Sequence, residues 1–330
     1  MIGERGIFIL SLDFELIWGT LDRHGQKFRH LCDLERLFVI ERLLNLFTEF
    51  DISATWCTVG HLFLKECRLK SVTKHPDIAR LTFAGASQDR FSHDPCSTEQ
   101  TDPVFYGRTL VEKIMACRVQ QEIGCHSFSH VIFSDARCTR AVAESELQAC
   151  LDAARELGID MKSFAFPRNR VGHLPVLRSY GFTCYRGPEP HWYQHKMWPH
   201  KVKRLGQLID VLTARRPPTV VPEQTPSGLW NIPGSMLFTP SHGIRKHLPV
   251  SLRVKRARKG LDAAVRDKRI FHLWFHPTDL AGNLDPMLAG LRQVLEYAAE
   301  LRSRNELDIL PMGAIASVQD PVIRQYASTA

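Results

Sequence analysis

Short, almost wholly apolar runs that end abruptly in polar residues recur along this chain, separated by stretches of helical periodicity. Residues 6–14 (GIFILSLDF) read as a buried strand. Over 33–50 (DLERLFVIERLLNLFTEF), Leu34, Leu37, Phe38, Leu44 and Phe47 recur at three- and four-residue spacing behind Asp33 as N-cap. That predicts a helix with one apolar face. Residues 52–60 (ISATWCTVG) are rich in β-branched and aromatic side chains and read as a second strand. The same alternation continues with a strand near 121–126, a helix over 144–158 closed by Gly158, and a strand over 163–167. A short helix over 173–181, strands over 182–187 and 271–275, and a helix over 285–304 complete it. Residues 228–238 offer a further return to the sheet. Strand and helix in alternation specify a parallel sheet, closed as a barrel or left open. In either, chemistry gathers at the carboxyl ends of the strands.

Two stretches break the pattern. Residues 66–108 carry Pro76, Pro95, Pro103, Gly85 and Gly107 and read as an insertion of loops with one short helix. Residues 188–228 hold several prolines without a clear period and read as a long connection. The last residues, QDPVIRQYASTA, read as a fraying tail. A length of 330 residues allows two domains, but the unbroken βα order favours one barrel with insertions.

Composition excludes more than it selects. With 44% hydrophobic and 24% charged residues, disorder, collagen and coiled coil are ruled out. Nine cysteines, an odd number without a CxxC pair, argue against a disulfide framework and for a reducing compartment. No run has a signal-peptide pattern or spans a membrane, so the expectation is a soluble cytoplasmic protein. The net charge of +8 is concentrated: residues 241–269 hold ten Lys and Arg against two Asp. This basic segment, 245–269, suits a solvated helix face or a surface facing a pyrophosphate carrier or anionic membrane. Nucleic acid is not expected as a partner, since no nucleic-acid motif or aromatic interleaving accompanies the charge. Oligomeric state is not legible.

The polar strand ends hold the candidate chemistry. Asp13 and Glu15, two apart on an extended strand, point to one side and suit metal binding plus proton transfer, or a solvated pair. His126 and His130, four apart on one face of a helical turn, suit a shared divalent ion, or a His-rich surface turn. His272, Trp274 and His276 alternate along one strand, with His276 at its end as a catalytic imidazole or a satisfied core histidine. Arg168 and Arg170 follow Pro167, placed to pair with Asp13, to clamp an anion, or to face water.

Taken in order, SLDFE, SATWCTVG, HSFSH, FAFPRN and FHLWFH resemble the polysaccharide deacetylase family, the NodB-homology or carbohydrate esterase family 4 group. The resemblance covers residues 6–187 and 228–315, and H-[ST]-x-x-H is its most specific single match. It implies an α/β fold, a distorted (β/α) barrel, and metal-assisted hydrolysis of an N-acetyl group from an amino sugar. Asp13 then corresponds to the base, His126 and His130 to metal ligands, and His276 to the acid. Many members place the metal carboxylate directly after the base, where this chain has Phe14. Glu15 is therefore assigned as third ligand, with Asp13 as the alternative. The metal expected is Zn²⁺, with Co²⁺, Ni²⁺ or Fe²⁺ also compatible. The N–H of Arg168, after Pro167, is the expected oxyanion donor.

Two departures stand out. The family's arginine two residues before the proline is Ala165 here, which leaves Arg168 as the candidate to orient Asp13. The family's Trp-Asp in the next strand is Tyr185-Arg186-Gly187. Asn169, Arg186 and Trp274 are the expected substrate contacts. The absence of a signal segment suggests a nucleotide- or lipid-linked precursor as substrate. An amidohydrolase of small amides or ureides, and an inactive sugar- or anion-binding homologue, remain the alternatives.

Overall fold

A computed structural model describes residues 4–21, 25–70, 72–81, 90–194 and 198–319. In chain order the strands are β1 (Gly6–Phe14), β2 (Thr55–Thr58), β3 (Leu69–Lys70), β4 (Thr73–Lys74), β5 (Glu122–Cys125) and β6 (Ser163–Ala165). They continue with β7 (Cys184–Arg186), β8 (Glu223–Gln224), β9 (Trp230–Asn231), β10 (Met236–Leu237), β11 (Ile270–Phe275) and β12 (Leu307–Ile309). The helices are α1 (Arg29–Leu34), α2 (Ile40–Glu49), α3 (Arg108–Met115), α4 (Arg140–Arg155) and α5 (Leu174–Ser179). After them come α6 (His200–Leu212), α7 (Val250–Asp267), α8 (Thr278–Ala281), α9 (Leu284–Ser303) and α10 (Met312–Gln319).

The main sheet runs β10-β11-β1-β2-β5-β6-β7-β9-β8, with β12 also on β1, and curls into a distorted, incompletely closed (β/α) barrel. Its pairings are parallel except β8 with β9. Strand β1 lies at the centre and is buried throughout, which is why its sequence is almost continuously apolar. Its outer face, Phe8, Leu10, Leu12 and Phe14, joins the large core shared with the helices. Its inner face starts with Ile7 and Ile9, which pack with Ile270, Val220 and Met312 and Ile315 of α10. Further along, the inner face turns polar at Ser11 and Asp13, both buried. The barrel is thus plugged by apolar side chains at one end and lined by polar groups at the other.

The structure departs from several of the sequence expectations. The helix predicted over 33–50 begins at Arg29, so Asp33 is no N-cap; it pairs with Arg36 inside the helical run. A π-helical turn at Glu35–Val39 joins α1 to α2 and rotates the apolar stripe. Leu37 and Phe38, expected inside, are 51% and 50% exposed, and Glu35 is fully buried in their stead. The stretch 188–228 is not an irregular connection, since it contains α6. Cys67 and Cys96 form a disulfide within the 66–108 insertion, against the expectation of reduced cysteines throughout.

The basic segment is only partly a surface. Arg253 is buried and donates to the carbonyls of Thr239 (2.7 Å), Leu248 (2.6 Å) and Pro240 (3.0 Å). Arg256 is buried beside Asp210 and donates to Arg215 O, and Lys259 donates to Ala214 O. These cations satisfy backbone carbonyls of neighbouring loops and are not displayed to a partner. The C-terminal tail from Asp320 onward, and Gly85, lie outside the described residues.

Candidate active site

The polar end of β1 delivers two carboxylates to the barrel mouth. Asp13 leaves the inner face of the strand, and Glu15 follows at the start of a 3₁₀ turn, Leu16–Gly19. A Cβ on Gly19 would fall on the Glu15 carboxylate, so that glycine makes the room in which the acid sits. Glu15 Oε1 lies 2.9 Å from His126 Nε2 and 3.2 Å from His130 Nε2. The two histidines do converge, but not on a helical turn as expected. Their loop is non-helical, with Ser127 at φ 59° and His130 at φ 61°.

A residue the sequence did not single out holds that loop. Glu146, buried in α4, accepts from the N–H groups of Phe128 (2.9 Å) and Ser129 (2.8 Å) and from the Ser129 hydroxyl (2.6 Å). Nothing in a helix-compatible Glu marks it for this task.

The donor set fits a cation. His126 donates its Nδ1 proton to Ala165 O at 2.8 Å, which turns Nε2 toward Glu15. A lone pair and a carboxylate oxygen 2.9 Å apart repel unless a proton or a metal ion lies between them. Burial pushes His130 down to about 4, which keeps its ring neutral and able to ligate. Burial alone would raise Glu15; the surrounding His130 and His276 outweigh it and hold the carboxyl well below its ordinary value. Two imidazoles and one ionised carboxylate on one point are a ligand set for a divalent transition metal.

Asp13 belongs to a different partner. Arg186 Nη2 donates to Asp13 Oδ2 at 2.6 Å, and both side chains are buried. Burial works to raise Asp13, but Arg186 and then His126 keep it ionised, below the ordinary value. Its other oxygen, Oδ1, is buried without a hydrogen-bond partner. The cation seen on Asp13 is Arg186, so this side chain, expected among the substrate contacts, meets the carboxylate expected to act as base. In the sheet register Ala165 sits directly beside Arg186.

Arg186 is itself held through both Nη atoms and its planar face, while its Nε is buried without a hydrogen-bond partner. Its Nη1 donates to Ser11 Oγ (3.1 Å), Nη2 also reaches Asn169 Oδ1 (3.2 Å), and the guanidinium stacks 4.2 Å over the Trp274 ring. Ser11 in turn meets His272 Nε2 at 2.8 Å, and His272 Nδ1 donates to Pro233 O. Burial, then Arg186, pushes His272 down to about 3, so it stays neutral and accepts from Ser11. Trp274, expected at the substrate, gives its indole N–H to Glu189 (2.7 Å) and is only 8% exposed.

His276 closes the cluster. Its Nε2 is 3.6 Å from Glu15 Oε1 and 3.8 Å from Asp13 Oδ2, and its Nδ1 is 2.9 Å from Asp279 Oδ2. Burial disfavours charge on this ring, but Asp279, Glu15 and Asp13 together push it up to about 10. Arg168 (φ 58°) and Asn169 (φ 53°) are consecutive left-handed residues, a strained turn of the kind found at binding sites. They line a groove of about 1330 Å³ that also takes in Glu189, Trp192 and Arg269.

No sequence-family model matches this chain, and no curated protein matches it by sequence. Its structure is similar to that of a putative polysaccharide deacetylase from Mycobacterium smegmatis, at 14% identity and TM-score 0.62, over 99% of this chain and 93% of that one. It is also similar to Puue allantoinase, at 14% identity and TM-score 0.55, over 96% and 91%. A probable polysaccharide deacetylase from Pseudomonas aeruginosa PAO1 matches at 13% identity and TM-score 0.52, over 94% and 88%. The curled parallel barrel of this chain, with its carboxylates and histidines at the strand ends, has the NodB-type fold of the polysaccharide deacetylases.

Proposed function

We propose that the protein is a metal-dependent N-deacetylase acting on an amino sugar, most suitably a nucleotide- or lipid-linked precursor of a surface polysaccharide. The observation that carries this reading is the division of labour between the two carboxylates. Glu15 meets both loop histidines, and Asp13 meets an arginine. Glu15, His126 and His130 would hold the ion, with Zn²⁺ the metal suited to this donor set. Bound there, the ion would supply Lewis acidity for the acetamide carbonyl and for a water molecule. Asp13, tied to Arg186 through one oxygen, takes the water's proton on Oδ1. The N–H of Arg168 contributes to oxyanion binding, as the family resemblance implies. His276, held through Nδ1 by Asp279, delivers its Nε2 proton to the leaving amine. Arg186 and Trp274 position the base, and Asn169 joins that network from the groove side.

The test is acetate release by the zinc-loaded protein from nucleotide-linked and lipid-linked N-acetyl sugars. Acetate from at least one of them supports the proposal; none from any, with metal bound, contradicts it. The allantoinase neighbour favours one second reading, hydrolysis of a small amide or ureide on the same fold. Turnover of allantoin without acetate release from sugars would select it.

A further inference from the structure

A second cluster of ligating side chains lies outside the site described above, where the insertion meets the barrel. His61 Nε2 is 3.1 Å from His75 Nε2 and 3.3 Å from Asp94 Oδ2, and His75 Nε2 is 3.0 Å from the same Asp94 oxygen. Ligands held about 2.0–2.1 Å from a tetrahedral ion lie about 3.3 Å from one another. The three side chains are 0%, 2% and 1% exposed, so water does not relieve them.

With both rings neutral, a purely hydrogen-bonded triad would be frustrated. His61 gives its Nδ1 proton to Phe105 O at 2.9 Å, which leaves a lone pair on Nε2. One proton on His75 Nε2 can serve His61 or Asp94, not both, and the His75 Nδ1 is buried without a partner. The outer contacts are those of a metal site. The second nitrogen of His61 is fixed by a backbone carbonyl, and Asp94 Oδ1 accepts from the Tyr106 hydroxyl (2.8 Å) and Cys96 N–H (2.9 Å). Cys67 Sγ lies 3.9 Å from His75 Nε2 and 3.8 Å from Asp94 Oδ2.

We propose that His61, His75 and Asp94 form a second, structural site for a divalent metal such as Zn²⁺, with Cys67 as fourth ligand when the Cys67–Cys96 disulfide is open. Opening it requires a thiol reductant, which is oxidised to its own disulfide as both cysteine sulfurs become thiols. The Cys67 proton passes to solvent as the thiolate binds. The site clamps the insertion to the Gly60–Phe63 turn after β2. That turn is already tied to the catalytic loop, because Gly60 N–H donates to Ser127 O (2.8 Å) and His61 N–H to Phe128 O (2.9 Å). The ion therefore steadies the loop that carries His126 and His130. The inference does not rest on the deacetylase reading.

Elemental analysis of the zinc-loaded, thiol-reduced protein should give two equivalents per chain. His126→Ala and His75→Ala should each remove a different one. Wild-type metal content in both His75→Ala and Asp94→Asn overturns the second site, whatever the first site does. Cobalt loading of the wild-type chain guards against a variant that fails to fold. Two cobalt ions, with a sulfur-to-cobalt charge-transfer band that appears on reduction and is missing in Cys67→Ser, support the proposal. One cobalt ion without that band overturns it, and two ions without the band overturn the role of Cys67.

Discussion

At the scale of the residue, the site depends on an exchange of partners that sequence order conceals. Asp13, Glu15, His126, His130 and His276 were legible because each ends a strand or opens a loop, where polar residues in an apolar run are conspicuous. Arg186 was read as a departure and as a substrate contact, and its pairing with Asp13 was not legible, since that partner lies 173 positions away across the barrel. Ser11, Glu146 and Asp279 were missed altogether, because a serine in a strand and acids in helices carry no local signal. The pairing of Arg186 with Asp13 has a consequence for pH dependence. With the guanidinium removed in Arg186→Met, burial is left to act on Asp13 and raises its pKa. The base must be deprotonated, so the acidic limb of the pH–rate profile should move to higher pH. Turnover at neutral pH should fall about 10²-fold or more. An unshifted acidic limb would show that Asp13 is not the group titrating there.

At the scale of the element, the central strands were readable and the helices less so. A parallel strand buried on both faces leaves a nearly continuous apolar run, and β1 and β11 were found almost residue for residue. The π turn was not readable, because one extra residue within a helix shifts the periodicity on which the reading depends. Helix α6 was missed since Gly206 and nearby prolines obscure its period, and the cysteine pair since an odd count suggested no pairing. The π turn turns Glu35 inward, where neither carboxylate oxygen has a hydrogen-bond partner. Burial, then the charge of Glu15, raises its pKa well above 4.5. An acid with a raised folded pKa is neutral in the native state while the unfolded chain ionises. Stability is therefore lost as pH rises above about 4.5, the ordinary value. Glu35→Gln removes that loss. Denaturant titrations should show it about 1–3 kcal/mol more stable than wild type near pH 8, and closer to wild type near pH 4. A difference that does not change with pH would contradict this account.

At the scale of the whole molecule, charge and apolar surface are distributed differently from the expectation. The basic segment spends Arg253 and Arg256 on internal contacts. Helix α6 instead exposes Val202, Leu205, Leu208, Ile209 and Leu212, beside exposed Trp192, Trp198 and Lys201. An apolar helical face with aromatic and cationic neighbours suits an anionic membrane surface, and it adjoins the groove through Trp192. No helix among the described residues is long and apolar enough to cross a membrane. Co-sedimentation with phosphatidylglycerol vesicles should be lost in Leu205→Glu/Leu212→Glu. Wild-type protein that stays in the supernatant would contradict a lipid-facing role.

The assignment of the two carboxylates is the centre of the account, and metal content measured beside acetate release tests it directly. Asp13→Asn should keep the wild-type metal content and lose about 10²-fold or more in turnover, because the base is removed and the ligands remain. Glu15→Gln should lose one metal equivalent. The reverse pattern, metal lost in Asp13→Asn and retained in Glu15→Gln, would contradict the account.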